Sequence, residues 1–178
     1  MRKIADIDIL ADEALRGRMV AWSLACLVVG AAACALMFAA GAAEACGLWW
    51  AILLVAGSLA ALPVHELVHA AAFKLLVPGA RVTFGVKDAF LYTSANGAVA
   101  RRAAEVCVLL APSVLVTAAL AALALAAGCP VLALALAATH LSGCAGDLLM
   151  VAEIAREPAC THVADAEFGV VLLSDAES

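Results

Sequence analysis

The chain has 178 residues, of which 67% are hydrophobic and 14% charged; its net charge is −5 and its mean hydropathy +1.09. So apolar a composition excludes a disordered chain, and an acidic balance with a pI near 5.2 excludes the basic face that nucleic-acid binding needs. A soluble chain of this length cannot hide that much apolar surface, so the bilayer is its solvent and an all-α integral membrane protein is expected.

Residues 1–18 read as a cytoplasmic leader. Ile4, Ile7, Leu10, Ala11 and Leu15 fall near helical spacing, so residues 4–15 form an amphipathic surface helix or a solvated leader. The uncharged run 19–43 is the first span, since about 20 apolar residues cross the hydrocarbon core. At 25 residues it exceeds the apolar core of a signal peptide, so it is expected to stay attached. The second span is 48–77, with Glu66 its deep charge. Residues 78–105 form a connection in which 82–86 and 89–94 flank Lys87-Asp88 as strand, turn and strand. The 41 residues between Glu105 and Asp147 carry no Asp, Glu, Lys or Arg. Gly128-Cys129-Pro130 divides this run into spans 106–127 and 130–152. A tail, 156–178, closes a four-span membrane domain of residues 19–155.

All ten Lys and Arg residues lie on one side of this arrangement. Positive-inside then places both termini in the cytoplasm of a multi-pass plasma-membrane protein. Trp22 and Trp49-Trp50 fall at the two interfaces, where an aromatic belt sits. The seven cysteines contain no CxxC pair, and Cys46 and Cys129, both on the outer side, are expected as free thiols rather than a disulfide. The alanine-rich spans offer small-residue faces for close helix packing, and for a homo-oligomer.

The chemistry lies in His65-Glu66-Leu67-Val68-His69. Positions i and i+4 share a helix face, so His65 and His69 can hold one Zn²⁺, and Glu66 beside them can move a proton. A His-acid-x-x-His pattern arises by chance about 0.007 times in this composition. An acid inside a span is functional by default, and a catalytic zinc wants three protein ligands and one open position. Asp147 is the other deep acid, at the same depth as His65 when both spans are counted from their outer ends. It is the expected third ligand. His140 and Cys144 are the alternatives, and His140, about 10 Å shallower on a straight helix, suits a helix contact or a pathway.

HELVH in one span, with Gly146-Asp147 two spans later, resembles the site-2 protease type of intramembrane zinc metalloprotease. More closely, the chain is similar to small bacterial membrane proteins classed as zincin peptidases. Leu91-Tyr92, Leu110-Ala111-Pro112, Ser142-Gly143-Cys144-Ala145 and Asp165 with Gly169 add to the likeness, which covers about residues 48–172. It implies a metalloprotease fold with three core helices. Site-2 proteases carry an Asn and a Pro upstream of the third ligand and a Gly after it; here Leu148 follows Asp147, and Asn96 lies outside the spans.

The reading is therefore a zinc-dependent intramembrane metalloendopeptidase. It has His65, His69 and Asp147 as ligands and Glu66 as general base, and it cleaves membrane-embedded substrates near the cytoplasmic face. The hairpin offers an edge to an extended peptide, with Phe84, Tyr92 and Asn96 as substrate contacts, or it is an interfacial lid. The partners are the lipid bilayer and a membrane-protein or peptide substrate. The alternative is a non-proteolytic membrane protein that binds a metal or a partner through a degenerate zincin site. An ion or proton carrier using Glu66, His140 and Asp147 is a third reading, disfavoured because no internal repeat is present.

Overall fold

The computed structural model describes residues 1–9, 11–42, 44–87, 90–95, 97–166 and 169–175. They form five helices and six strands in the order β1 (Arg2–Asp8), α1 (Glu13–Ala39), α2 (Leu48–Leu76), β2 (Thr83–Lys87), β3 (Phe90–Ser94), β4 (Val99–Arg101), α3 (Arg102–Ala126), α4 (Pro130–Gly143), α5 (Ala145–Arg156), β5 (His162–Ala166) and β6 (Gly169–Ser174). Helices α1, α2 and α3 are each long and apolar enough to cross a membrane. Their flanks stay open: Val28 of α1 is 67% exposed and Leu59 of α2 is 61% exposed. Water would penalise such faces, and lipid would not.

Small residues set the helix packing. A side chain at Gly30 of α1 would collide with Ala138 of α4, and one at Gly57 of α2 would press on Leu136. Ser23 Oγ adds a bond to the Ser142 carbonyl, 2.7 Å. At the far end of the bundle Ala124, Leu132, Ala133 and Leu136 form a buried cluster. Asp12 caps α1 by accepting from the Ala14 and Leu15 amides at 2.8 and 3.1 Å. Helix α4 is capped from a distance. The Glu44 carboxylate accepts from the Val131 amide at 2.6 Å, the Leu132 amide at 3.1 Å and the Trp50 indole at 2.7 Å. An anion there meets the positive end of the helix dipole.

Three expectations are corrected. The run 130–152 is not one straight helix: α4 and α5 meet at Cys144 with a bend of 56°, and count as a fourth span only if taken as one bent pair. Residues 4–15 do not form one helix or a solvated leader. Residues 2–8 are a strand, and the helix starts at Glu13. Ile7 and Ile9 are buried at a period of two, and the deciding partner, β6, lies too far along the chain for local spacing to reveal. Finally, the chain is not all-α. A four-stranded antiparallel sheet runs β1-β6-β5-β4, and β2 and β3 form a separate hairpin.

The hairpin lies between α2 and α3 with Thr83 opposite Ser94 and Lys87 opposite Phe90; the turn expected at Lys87-Asp88 falls partly on residue 88, outside the described residues. The leader, the connection and the tail thus each contribute to one sheet. Its core face buries Ile7, Val163, Val170 and Leu172 against Leu109 of α3 and Ile154 of α5. Where β1 meets β6 the backbones are so close that any side chain at Gly169 would strike the Ile7 carbonyl. Arg102 ties the sheet end of the bundle together by donating to the carbonyls of Ile154 (2.8 Å) and Ala155 (3.2 Å). All seven cysteines are free thiols.

Glu44→Ala should remove the cap of α4 at a cost of about 1–2 kcal/mol. The readout is a lower thermal midpoint in detergent with faster hydrogen exchange at the Val131 and Leu132 amides; unchanged exchange at those amides would refute the capping role.

Candidate metal centre

His65 and His69 stand one turn apart in the second half of α2, with ring centroids 4.7 Å apart and planes crossing at 74°. Their Nε2 atoms face each other at 3.1 Å. The break at Cys144 sets Asp147 in the first turn of α5, where a helix N-terminus favours a carboxylate. Its Oδ2 is 3.1 Å from His65 Nε2, and its Oδ1 is 3.5 Å from His69 Nε2. A tetrahedral ion with zinc-type bonds of about 2.0 Å has ligand-to-ligand edges of about 3.3 Å. Two ring nitrogens and a carboxylate converging at 3.1–3.5 Å therefore fit such an ion in number, type and spacing.

The far side of each ring is also held. His69 Nδ1 donates to the Val108 carbonyl at 3.0 Å, which leaves Nε2 free as a ligand. His65 Nδ1 lies 3.3 Å from His140 Nε2, and His140 Nδ1 lies 2.8 Å from Thr117 Oγ1. His140 is therefore not remote from the site, as a straight helix implied. The bend at Cys144 lets α4 bring it to the back of His65. Cys144 Sγ reaches the same place, 3.8 Å from His65 Nδ1. The structure thus brings together two groups that could hold a cation: His65, His69 and Asp147, and His65, His140 and Cys144.

A cavity of about 210 Å³ opens on the first group. His65, Glu66, His69 and Asp147 line it on one side. Leu91, Tyr92 and Thr93 of β3 form part of the wall, and Ile9, Asp165 and Gly169 contribute from the sheet side. Thr93 Oγ1 donates to the Glu66 carbonyl at 3.0 Å, which fixes β3 against α2 beside the site. The Tyr92 ring fits over Gly85, where any side chain would collide with it. Phe84 is exposed on β2, apart from the cavity wall. Asn96, expected as a substrate contact, lies outside the described residues.

Two acids had no explained role in the sequence. Asp165 enters only through a family likeness, yet its Oδ2 accepts from Ser94 Oγ at 2.8 Å and the Ala95 amide at 2.7 Å, joining β5 to the end of β3. Burial pushes its carboxyl above the usual carboxylate range, against the opposing pull of these donors and of His69. Glu105 is fully buried in the first turn of α3, with no hydrogen-bond partner on either oxygen among the described residues. A glutamate one residue before a predicted span was the signal available for it.

A family model described as "Putative zincin peptidase" matches residues 58–162, which include HELVH, the hairpin and Asp147. No curated protein and no solved structure matches the chain.

Asp165→Ala should strand the buried Ala95 amide and cost about 1–3 kcal/mol. Asp165→Asn, which keeps an acceptor, should cost less. Hydrogen exchange at Ala95 checks this, and equal protection in wild type and Asp165→Ala would contradict the bracing role.

Proposed function

The chain belongs to the zincin peptidase family, and from that premise we propose that it is a zinc-dependent metalloendopeptidase acting on membrane-embedded or membrane-associated polypeptides. The observation that carries the reading is the convergence of His65, His69 and Asp147 at 3.1–3.5 Å beside Glu66. Two facing ring nitrogens and a carboxylate cannot all be satisfied by a single shared proton. A cation satisfies all three.

His65 Nε2, His69 Nε2 and one Asp147 oxygen would hold the zinc, and the side facing the cavity stays open for substrate. When bound, zinc supplies Lewis acidity, which acidifies water and polarises the scissile carbonyl. Glu66 then acts as general base. It accepts a proton from the attacking water and returns it to the departing amine. Asp147 and Glu66, both ionised, balance the charge of one divalent ion, which reduces the cost of burying it. The hydrogen bonds from His69 to Val108 and between His65 and His140 keep the rings aimed.

A substrate helix hides its own amides, so cleavage needs an extended segment. The hairpin beside the cavity supports entry of such a segment along β3, with Tyr92 in the wall. Phe84 and Asn96 are further candidate contacts on the same connection. Three membrane-competent helices, with the bent pair α4–α5 as a fourth crossing, and the side bias of Lys and Arg support a plasma-membrane protein with both termini in the cytoplasm, cleaving near that face.

Glu66→Gln should keep zinc and lower cleavage by about 10²–10⁴-fold. Asp147→Ala and His69→Ala should lose the zinc of this centre, and His140→Ala should weaken its binding by about 10–100-fold. Zinc content of the detergent-purified protein and cleavage of a membrane-embedded peptide check these outcomes. Cleavage that survives Glu66→Gln would remove Glu66 as the general base, and no cleavage by the zinc-loaded wild type would remove the enzymatic reading and leave a metal-binding or partner-binding membrane protein.

A further inference from the structure

The two candidate ligand groups share one ring. His65 turns Nε2 toward Asp147 and His69, and it turns Nδ1 toward His140 and Cys144. The second group has its own geometry. His65 Nδ1 and His140 Nε2 are 3.3 Å apart, and Cys144 Sγ lies 3.8 Å from the first and 3.9 Å from the second. A zinc-type ion with bonds of about 2.0 Å to nitrogen and 2.3 Å to sulfur has edges of about 3.3 and 3.5 Å. Thr117 Oγ1, 2.8 Å from His140 Nδ1, can accept the proton there and leave Nε2 with its lone pair facing the group. His140 and Cys144 are buried, and neither lines the cavity that meets Asp147.

We propose that His65, His140 and Cys144 form a second cation site, for a thiophilic divalent ion of the zinc type, with His65 bridging it to the first. The site shares a ligand with the proposed catalytic centre but does not depend on that centre's being a peptidase. Its occupancy is chemically balanced by the loss of two protons to solvent, one from Cys144 Sγ and one from His65 Nδ1. The ring then carries its negative charge between two cations. Thiolate ligation selects soft and borderline ions over Mg²⁺ and Ca²⁺. Closed off from the cavity, this ion touches no substrate. It pins α2 to α4 at the point where α4 gives way to α5, and so fixes the bend that delivers Asp147.

Titration of chelator-stripped, full-length protein in detergent with Co²⁺ tests the site. Two equivalents should bind, and one should bring a near-ultraviolet band of thiolate-to-cobalt charge transfer. Cys144→Ala and Cys144→Ser should each lose that band and one equivalent, while keeping the visible bands of the other ion. His69→Ala should do the reverse, keeping the thiolate band. One equivalent in the wild type with no thiolate band overturns the proposal and leaves His140 as a partner of His65, with the first site intact. Two equivalents that persist in both Cys144 variants also overturn it. No cobalt uptake at all overturns both this site and the metal centre on which the peptidase reading rests.

Discussion

The break at Cys144 is the constraint on which the polar interior depends. A straight helix from 130 to 156 would present His140, Cys144 and Asp147 at successive heights, about 10 Å from first to last. Bending by 56° between Gly143 and Ala145 gathers all three around one ring of α2. The same break starts a new helix, so Asp147 sits in a first turn, where unpaired amides favour a negative charge. Apolar helices can carry so polar a cluster because each member is a neighbour's partner.

That partnership extends outward in shells. His69 is anchored on a backbone carbonyl of α3, and His65 leads through His140 to Thr117 of the same helix. Helix α3 therefore backs both rings, and its own start is held by Arg102 on the end of α5. Below, Asp165 clamps the end of β3 to the sheet, and Thr93 clamps β3 to α2. The cavity is thus a junction between two constructions. A bundle of small-residue contacts supplies the donors, and a hydrogen-bonded sheet shapes the approach.

Much of this was legible in the sequence, and what was not has a common physical cause. The charge-free runs marked α2 and α3 within four residues and α1 within six, because hydrophobic length is a local property. Strands were expected at 82–86 and 89–94, and the paired residues are 83–87 and 90–94. The five residues of HELVH named the centre because helical spacing alone puts the two histidines on one face. Asp147 could be singled out as a deep acid, but its approach to both rings is made by the bend at Cys144, which a depth counted along a straight helix does not contain. The four-stranded sheet could not be read, because β1 finds its partner only in β6, and no local window contains both. Nor was the bend read: around Gly143-Cys144-Ala145-Gly146 the chain has no proline, and no Lys or Arg interrupts residues 131–155. The same omission hid His140 at the back of His65, since its distance was reckoned along a straight axis.

The pairing of β1 with β6 also sets the order in which the molecule can be completed. Asp8 must wait for Gly169, which leaves the ribosome after all five helices have been made. Closing so long a loop costs more entropy than joining neighbouring helices, although the increment grows only slowly with length. The helices can be threaded into the bilayer and packed while the sheet is still missing a strand. The wall of the cavity that includes Ile9 and Gly169 then arrives last. A nascent chain would carry HELVH from early in synthesis, yet hold an open and unshaped site until β6 docks. A complete site would in this way be withheld until translation has passed the last strand, a delay built into the topology of the sheet.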